Sequence, residues 1–381
     1  MNGRRNDWAL GLLACLLGAG CATTGPRVSS QEIRQETEEL KAKQILRLAE
    51  EQQRVWDVGY RLLSALPEKD RHAAYPEVGM TVIRVTGAVR RAFGYPKAAK
   101  GYAVAAVRQG GPAAAAGIQR GDLLKLVDEK HASSLKKFEH LVWTLTPGQQ
   151  VTVTVERAGA ALPLPLTVGS LPRKIQFVVW NRADVNAWVN LGSATIKITS
   201  GMVRFLKSDD ELAVVLGHEL AHMTEAHRGK ETATAVFAST LGAATGLATD
   251  LVVPGLGGVV SALTSSATQG VFSRDFEREA DYKGLLHTYR AGYDAAAGVE
   301  VWERFGTELP LSMTKDLRST HPSSAERLVR IRKIAESLKT IGLEATIARY
   351  ETPGRQWQDA EPAAPAEAVA ASVPAQTAST P

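Results

Sequence analysis

Leu212-Ala-Val-Val-Leu-Gly-His218-Glu219-Leu-Ala-His222 is the stretch on which the reading of this chain turns. It contains H-E-x-x-H. On a helix, residues four apart lie on one face about a turn from each other, so both imidazoles can reach one ion. Neutral imidazole is a preferred nitrogen ligand for zinc. Glu219 projects beside that ion, where a carboxylate can take the proton from a water that the metal polarises. The apolar flank Leu212–Gly217 implies a buried helix rather than two histidines on a solvated surface. Ser208-Asp-Asp-Glu211 offers a cap with an acid three residues on, which predicts a helix from Asp209 through His222.

A catalytic zinc needs three protein ligands and an open position. The two cysteines, Cys15 and Cys21, both lie in the first 21 residues, so a cysteine zinc site and an internal disulfide framework are excluded. The next histidine, His227, is off the spacing of the three-histidine proteases, so the third ligand should be a carboxylate from downstream. Candidates cluster in Ser273-Arg-Asp-Phe-Glu277-Arg-Glu279-Ala-Asp281. On a helix Glu277 and Asp281 share a face, while Glu279 points away. One of the pair can bind metal while the other takes the N–H of a ligating histidine and fixes its tautomer.

The remaining sequence suggests two or three domains. The chain has 381 residues, 44% hydrophobic and 22% charged, enough to bury a real core. A formal net charge of +5 on that length, with no long Lys/Arg block, argues against a nucleic-acid partner. Residues 21–72 read as a linker followed by a charged helix with Ile33, Leu40, Leu48 and Val55 along one face, expected to pack on the main body. Residues 73–170 carry short β-type runs at Met80–Val85, Tyr102–Val107, Leu123–Val127, Val151–Glu156 and Leu162–Val168. Residues 171–340 alternate β-like and helical segments, with strands expected at Ile175–Trp180 and Thr195–Thr199. Residues 232–272, with Asp250 as their one charge, read as a helical hairpin over the core rather than a membrane insertion. The Ala/Pro-rich end, within residues 341–381, reads as mostly disordered. The fold class is α+β: a mainly helical H-E-x-x-H domain with a small edge sheet, plus a β-rich domain.

The N-terminus, MNGRRNDWALGLLACLLGAGC, has a basic start and an apolar run too short to span a bilayer comfortably. Residues 1–20 resemble a bacterial lipoprotein signal, in which the cysteine after the cleavage point is lipidated. Cys21 is favoured over Cys15, with an ordinary cleaved signal or an uncleaved anchor as alternatives. By that likeness the chain is anchored to a membrane by an N-terminal lipid. Ala22 rather than Asp after the cysteine suggests the outer membrane, facing the bacterial periplasm.

Gly110-Gly-Pro-Ala-Ala-Ala-Ala-Gly117-Ile118, followed by Arg120-Gly121-Asp122, reads as a turn, a short helix started by Pro112, a glycine stop and a turn into a strand. This block resembles a PDZ domain of the bacterial protease type. The resemblance implies a peptide groove lined by a helix at Phe138–Leu145, and a loop, Val78-Gly79-Met80, whose N–H groups take a peptide carboxylate.

Leu216-Gly-His-Glu-Leu-Ala-His222 with Ser273-Arg-x-Phe-Glu-x-x-Ala-Asp281 resembles the zinc metallopeptidases related to HtpX and the CAAX-prenyl endopeptidase, in the periplasmic lipoprotein and BepA-like branch of these gluzincins. The resemblance implies one Zn2+ per chain held by His218, His222 and Glu277, with Asp281 supporting a ligand and Glu219 catalytic. Asn186-Ala-Trp188 resembles the Asn-Ala-Phe segment before the edge strand along the cleft. That implies substrate contacts at Asn186, Thr195 and Ile196, with the substrate backbone along an edge strand near Thr195–Thr199. Thr320-His321-Pro322 and Arg327 resemble a downstream motif in which His321 helps hold the oxyanion. The expected partners are polypeptides, above all unfolded or misassembled proteins of the cell envelope, with the PDZ-like insert capturing them. A latent or non-proteolytic assembly factor with a zinc site is the alternative.

Overall fold

The computed structural model describes residues 25–131, 134–225, 274–308 and 325–351. Cys21, the segment 232–272 and the Ala/Pro-rich tail lie outside the described residues. The chain divides into two compact units. One takes residues up to Arg54 and Ala74–Ser170; the other takes Val55–Ala73 and everything from Leu171 on.

The first unit is built on an antiparallel sheet. Its strands are β2 (Met80–Arg84), β3 (Tyr102–Val107), β4 (Leu123–Val127), β6 (Gln150–Arg157) and β7 (Ala160–Thr167), in the order β2-β3-β4-β6-β7, with β5 (Lys130–His131) paired to β4. A separate pair joins β1 (Tyr75–Glu77) to β8 (Gly169–Leu171). Strict alternation explains β6: Val151, Val153 and Val155 are buried while Gln150 and Thr152 face outward. Those valines pack with Val82, Val104, Leu124 and Phe138, the last from α4 (Leu135–Trp143). The short helices α2 (Gly87–Phe93) and α3 (Pro112–Ala115) complete the unit. Pro112 opens α3, and Gly117 takes the left-handed conformation (φ 80°) after it. Asp122 is buried and held twice by Arg157, at 2.7 and 2.8 Å, so the acid of the Arg-Gly-Asp turn is a structural anchor.

The first helix, α1 (Ser30–Ser64), differs from expectation. Ile33 and Leu40 are exposed, and the residues that bury before Arg54 are Ala42, Ala49 and Glu51, with Ile45 packed against Val85, Val89 and Leu123. The apolar positions spaced by seven and eight therefore do not form one seam.

The second unit gathers the rest of α1 (Val55, Val58, Leu62 and Leu63) against a three-stranded sheet. Gly59 lies over the Phe177 ring, and Trp56 Nε1 donates to the Phe177 carbonyl at 3.0 Å. The sheet holds β9 (Gln176–Trp180), β10 (Ala187–Asn190) and β11 (Thr195–Thr199) in the order β10-β11-β9. β11 runs antiparallel to β10 and parallel to β9. This corrects one expectation. Thr195–Thr199 is the central strand, with hydrogen-bonding neighbours on both sides, so it offers no free edge. Thr195 and Ile196 are buried. Among the described residues the sheet edge next to Asn186 belongs to β10.

After α5 (Ser200–Phe205) come the helices α6 (Asp209–Thr224), α7 (Arg274–Arg290), α8 (Ala297–Glu308) and α9 (Ala325–Tyr350), the last broken at Gly342. Ser208 caps α6 by accepting from the Glu211 N–H at 3.1 Å. Glu211 itself turns to the Lys207 N–H and to Arg304 of α8, which grips it at 2.7 and 2.8 Å. Burial raises the Glu211 pKa, but Arg304 and the Lys207 N–H outweigh it and hold the carboxyl below its usual range. The chain leaves this unit after Ala73 and re-enters at Leu171, and the two points are tied by His72 N–H to Pro172 O at 2.9 Å and by Arg173 to Asp70 O at 3.1 Å.

His287 of α7 is buried, and neither ring nitrogen has a hydrogen-bond partner among the described residues. Burial, followed by the charges of Arg290, Lys283, Lys69 and Arg173, pushes its pKa down to about 3. The folded protein therefore refuses a proton that the unfolded chain accepts below about pH 6.5. The stabilising contribution is complete above that pH and is lost as pH falls toward the folded value, at up to about 1.4 kcal/mol per pH unit. His287→Leu should flatten the acid-side loss in urea unfolding between pH 6.5 and pH 4. Equal slopes for the two proteins would contradict this.

Candidate metal centre

Two helices make the site, and they meet backbone to backbone. A Cβ on Gly284 of α7 would stand 2.8 Å from the His218 Cα, and one on Gly217 of α6 would stand 2.8 Å from the Gly284 carbonyl oxygen. Glycine inside a helix costs about 1 kcal/mol relative to alanine, so two of them at one crossing need a packing reason. Here it is proximity. Thr288 adds a clasp, its hydroxyl donating to Ala213 O of α6 at 3.2 Å.

The crossing brings His218 and His222 of α6 against Glu277 and Asp281 of α7, all buried. His218 Nε2 and His222 Nε2 are 3.1 Å apart. Glu277 reaches both, with Oε2 at 3.5 Å from His218 Nε2 and Oε1 at 3.3 Å from His222 Nε2. His218, His222 and Glu277 are the one group of three possible metal ligands found among the described residues, each offering a ligand atom within 4.8 Å of the others.

These residues fit a zinc ion on two grounds. With metal–ligand bonds near 2.0–2.1 Å, tetrahedral coordination separates donor atoms by about 3.3 Å, and the three observed separations span 3.1 to 3.5 Å. The second ground is electrostatic. His218 Nδ1 lies 3.0 Å from Asp281 Oδ1, which favours the Nδ1–H tautomer and leaves the Nε2 lone pair facing a second imidazole and a carboxylate. In a dry pocket such a cluster calls for a positive charge. Burial opposes protonation of His218, yet Asp281 and Glu277 overcome it and lift the pKa to about 9.

Arg327 of α9 completes the arrangement. Its guanidinium is buried, bonds Asp281 at 2.6 and 2.8 Å and approaches Glu277 Oε2 at 2.9 Å. Burial raises the Asp281 pKa, but Arg327 and His218 bring it below the ordinary carboxylate range. The Arg327 pKa moves up despite burial, under Asp281, Glu277 and Glu219. Glu219 is therefore near enough to feel this guanidinium, and it too is buried. The Trp302 ring of α8 covers both His218 and Arg327, at 5.9 and 5.3 Å.

Several site expectations fall elsewhere. His321 lies outside the described residues, as does Cys21. Asn186 precedes β10; its N–H donates to Thr199 Oγ1 at 3.1 Å and its carbonyl accepts from the Thr199 N–H at 2.9 Å. In the first unit, the Val78 carbonyl accepts from Ala113 N–H and the Gly79 carbonyl from Arg108 N–H, while Met80 begins β2. Gly79 has a positive φ of 70°. Residue spacing missed the double grip of Arg327 and the Gly217–Gly284 crossing. The available signal was a pair of helix-interior glycines with no turn to explain them.

Gly284→Ala should force α6 and α7 apart at His218. The expected result is a loss of about 1–3 kcal/mol of stability from overpacking, together with a metal affinity more than tenfold weaker in competition with a chelator. Wild-type affinity in a folded Gly284→Ala protein would refute the positioning role.

Peptidase family M48 matches residues 149–335, and the PDZ domain matches residues 76–168. Among curated proteins, the mitochondrial metalloendopeptidase OMA1 of Arabidopsis thaliana is 34% identical over 152 residues, covering 40% of this chain and 30% of its own. The putative beta-barrel assembly-enhancing protease of Vibrio cholerae is 29% identical over 174 residues, covering 44% and 36%. The metalloprotease YcaL of Escherichia coli is 29% identical over 162 residues, covering 42% and 61%. The chain thus spans less than two thirds of each of these relatives. The helices that carry His218, His222, Glu277 and Asp281 all fall within the first matched segment, and with that geometry in place, the chain carries a peptidase family M48 domain and a PDZ domain.

Proposed function

We propose that this chain is a zinc endopeptidase of the bacterial cell envelope that degrades unfolded or misassembled envelope polypeptides. The observation that carries the reading is the buried convergence of His218, His222 and Glu277, with Glu219 beside it. One zinc bound there supplies a Lewis acid that acidifies water and polarises the scissile carbonyl.

The chain's own groups do the rest. Glu219 accepts a proton from the attacking water as the water oxygen bonds to the carbonyl carbon. It then delivers that proton to the amide nitrogen as the C–N bond breaks, leaving a carboxylate and an amine. Asp281 holds the His218 tautomer, and Arg327 fixes Glu277 and Asp281 of α7. His321 is assigned to the oxyanion by the likeness of Thr320-His321-Pro322 to the family motif.

Substrate enters as an extended strand. Among the described residues β10 has one neighbour, β11, which supports backbone pairing of a substrate along its other edge, and Asn186 stands at its start. In the PDZ domain β2 is likewise an edge strand, and it shares a core with Phe138 of α4. That supports peptide capture between β2 and α4, with Val78, Gly79 and Met80 at the carboxylate end. Placement in the envelope rests on the N-terminal pattern ending at Cys21, with lipid anchorage to the outer membrane, and on the beta-barrel assembly-enhancing proteases among the relatives.

Glu219→Gln should retain one zinc per chain and lose about 10²–10⁴-fold in cleavage of an unfolded protein such as casein. Asp281→Asn should weaken metal binding by about 10–100-fold. Full cleavage by Glu219→Gln would refute its role. A zinc-loaded wild type that cleaves nothing would instead favour an assembly factor.

A further inference from the structure

One face of the three-stranded sheet of the second unit is buried, and the other is partly exposed around Trp180, Trp188 and Lys197, with Thr195 and Thr199 on it buried. Phe177, Ala187, Val189, Ile196 and Ile198 point into the core. The alternate positions carry Trp180, Trp188 and Lys197. Trp188 stands opposite Lys197 across the β10–β11 pair. The two indoles are 5.2 Å apart, and Trp180 is 45% exposed. Two cations flank Trp180, with the Arg182 guanidinium at 5.0 Å and Lys197 Nζ at 5.6 Å from the ring centroid. An indole pair with one ring nearly half exposed, beside a strand edge that has no partner among the described residues, is an unusual use of apolar surface.

Register connects this pair to the edge. The bond from Thr199 N–H to Asn186 O makes residues 186 and 199 a hydrogen-bonded pair. Antiparallel alternation then turns the backbone of Trp188 and Asn190 toward β11 and that of Ala187 and Val189 toward the other edge of β10. An extended polypeptide pairing with that edge alternates its side chains between the two faces. The residue opposite Trp188 falls on the partly exposed face, with its Cβ about 4.5–5.5 Å from that of Trp188.

We propose that Trp188, backed by Trp180, forms a subsite that selects an apolar or aromatic side chain in an extended substrate, and that Lys197 disfavours a basic one there. Arg182 is already paired with Asp184 at 2.8 Å, so Lys197 supplies the charge discrimination. The subsite rests on the peptidase reading and sharpens its substrate class. It favours chains that expose hydrophobic residues in extended conformation, which folded proteins keep inside.

The test is a cleavage-site profile on casein, read by mass spectrometry, for the wild type, Trp188→Ala, Trp188→Phe and Lys197→Glu. Peptide pairs differing only at the position that emerges then give kcat/KM ratios. The wild type should show one position enriched in Phe, Leu, Tyr, Trp and Met and depleted in Lys and Arg. Trp188→Ala should lower the Phe-over-Ala ratio at that position about tenfold, and Trp188→Phe should keep most of it. Lys197→Glu should remove the bar to Lys and Arg, and it reads the subsite even if Trp188→Ala fails to fold. Zinc-dependent cleavage with a profile unchanged in Trp188→Ala or Lys197→Glu overturns the subsite and leaves the peptidase reading standing. Absence of any zinc-dependent cleavage by the wild type overturns the peptidase reading itself.

Discussion

The close crossing of α6 and α7 at Gly217 and Gly284 is the constraint from which the rest of the second unit follows. Ordinary helix pairs sit 8–10 Å apart, a distance set by the side chains between them. Removing the side chains at the contact lets the His218 backbone rest on the Gly284 backbone. Only then can side chains one turn apart on α6 and one turn apart on α7 close on a common point. The flanking contacts serve this crossing. Arg304 pins the start of α6 through Glu211, Thr288 clasps α7 to the middle of α6, and Trp302 roofs His218.

Burial makes the same cluster electrostatically expensive. His218, Glu219, His222, Glu277, Asp281 and Arg327 all lie in the interior. Three acids with one guanidinium and two imidazoles leave an excess of negative charge unless something positive is shared among them. The protein responds by holding Asp281 ionised and by making His218 a stronger base. Both responses favour a cation between the two imidazoles and Glu277. His287, on the same helix, is treated in the opposite way. Burial and the charges of Arg290, Lys283, Lys69 and Arg173 keep it neutral. One helix thus carries two buried environments of opposite sign.

Much of this was legible from spacing, because helical periodicity is local and rigid. His218 and His222, and Glu277 and Asp281, each lie four residues apart, and that alone puts each pair on one face. The strand runs of the first unit were legible for a similar reason, as in the alternation of Val151, Val153 and Val155. What sequence could not supply was the neighbour of each element. Thr195–Thr199 reads as a strand, but nothing within it says that strands lie on both sides, and so the sheet edge was assigned one strand too far. Of the spaced residues Ile33, Leu40, Leu48 and Val55, the last is fully buried while Ile33 and Leu40 face outward. Arg327 was marked by its likeness to a family motif, and its grip on Glu277 and Asp281 is apparent only once those acids are within reach.

The account stands or falls on a single ion shared by His218, His222 and Glu277. X-ray absorption at the zinc edge, on the purified full-length protein with its metal content quantified, tests this most directly. The prediction is one zinc per chain, four-coordinate, with two imidazole nitrogens and oxygen donors at about 2.0–2.2 Å and no sulfur. A chain that folds without stoichiometric metal, or a zinc shell lacking two imidazoles, would contradict it.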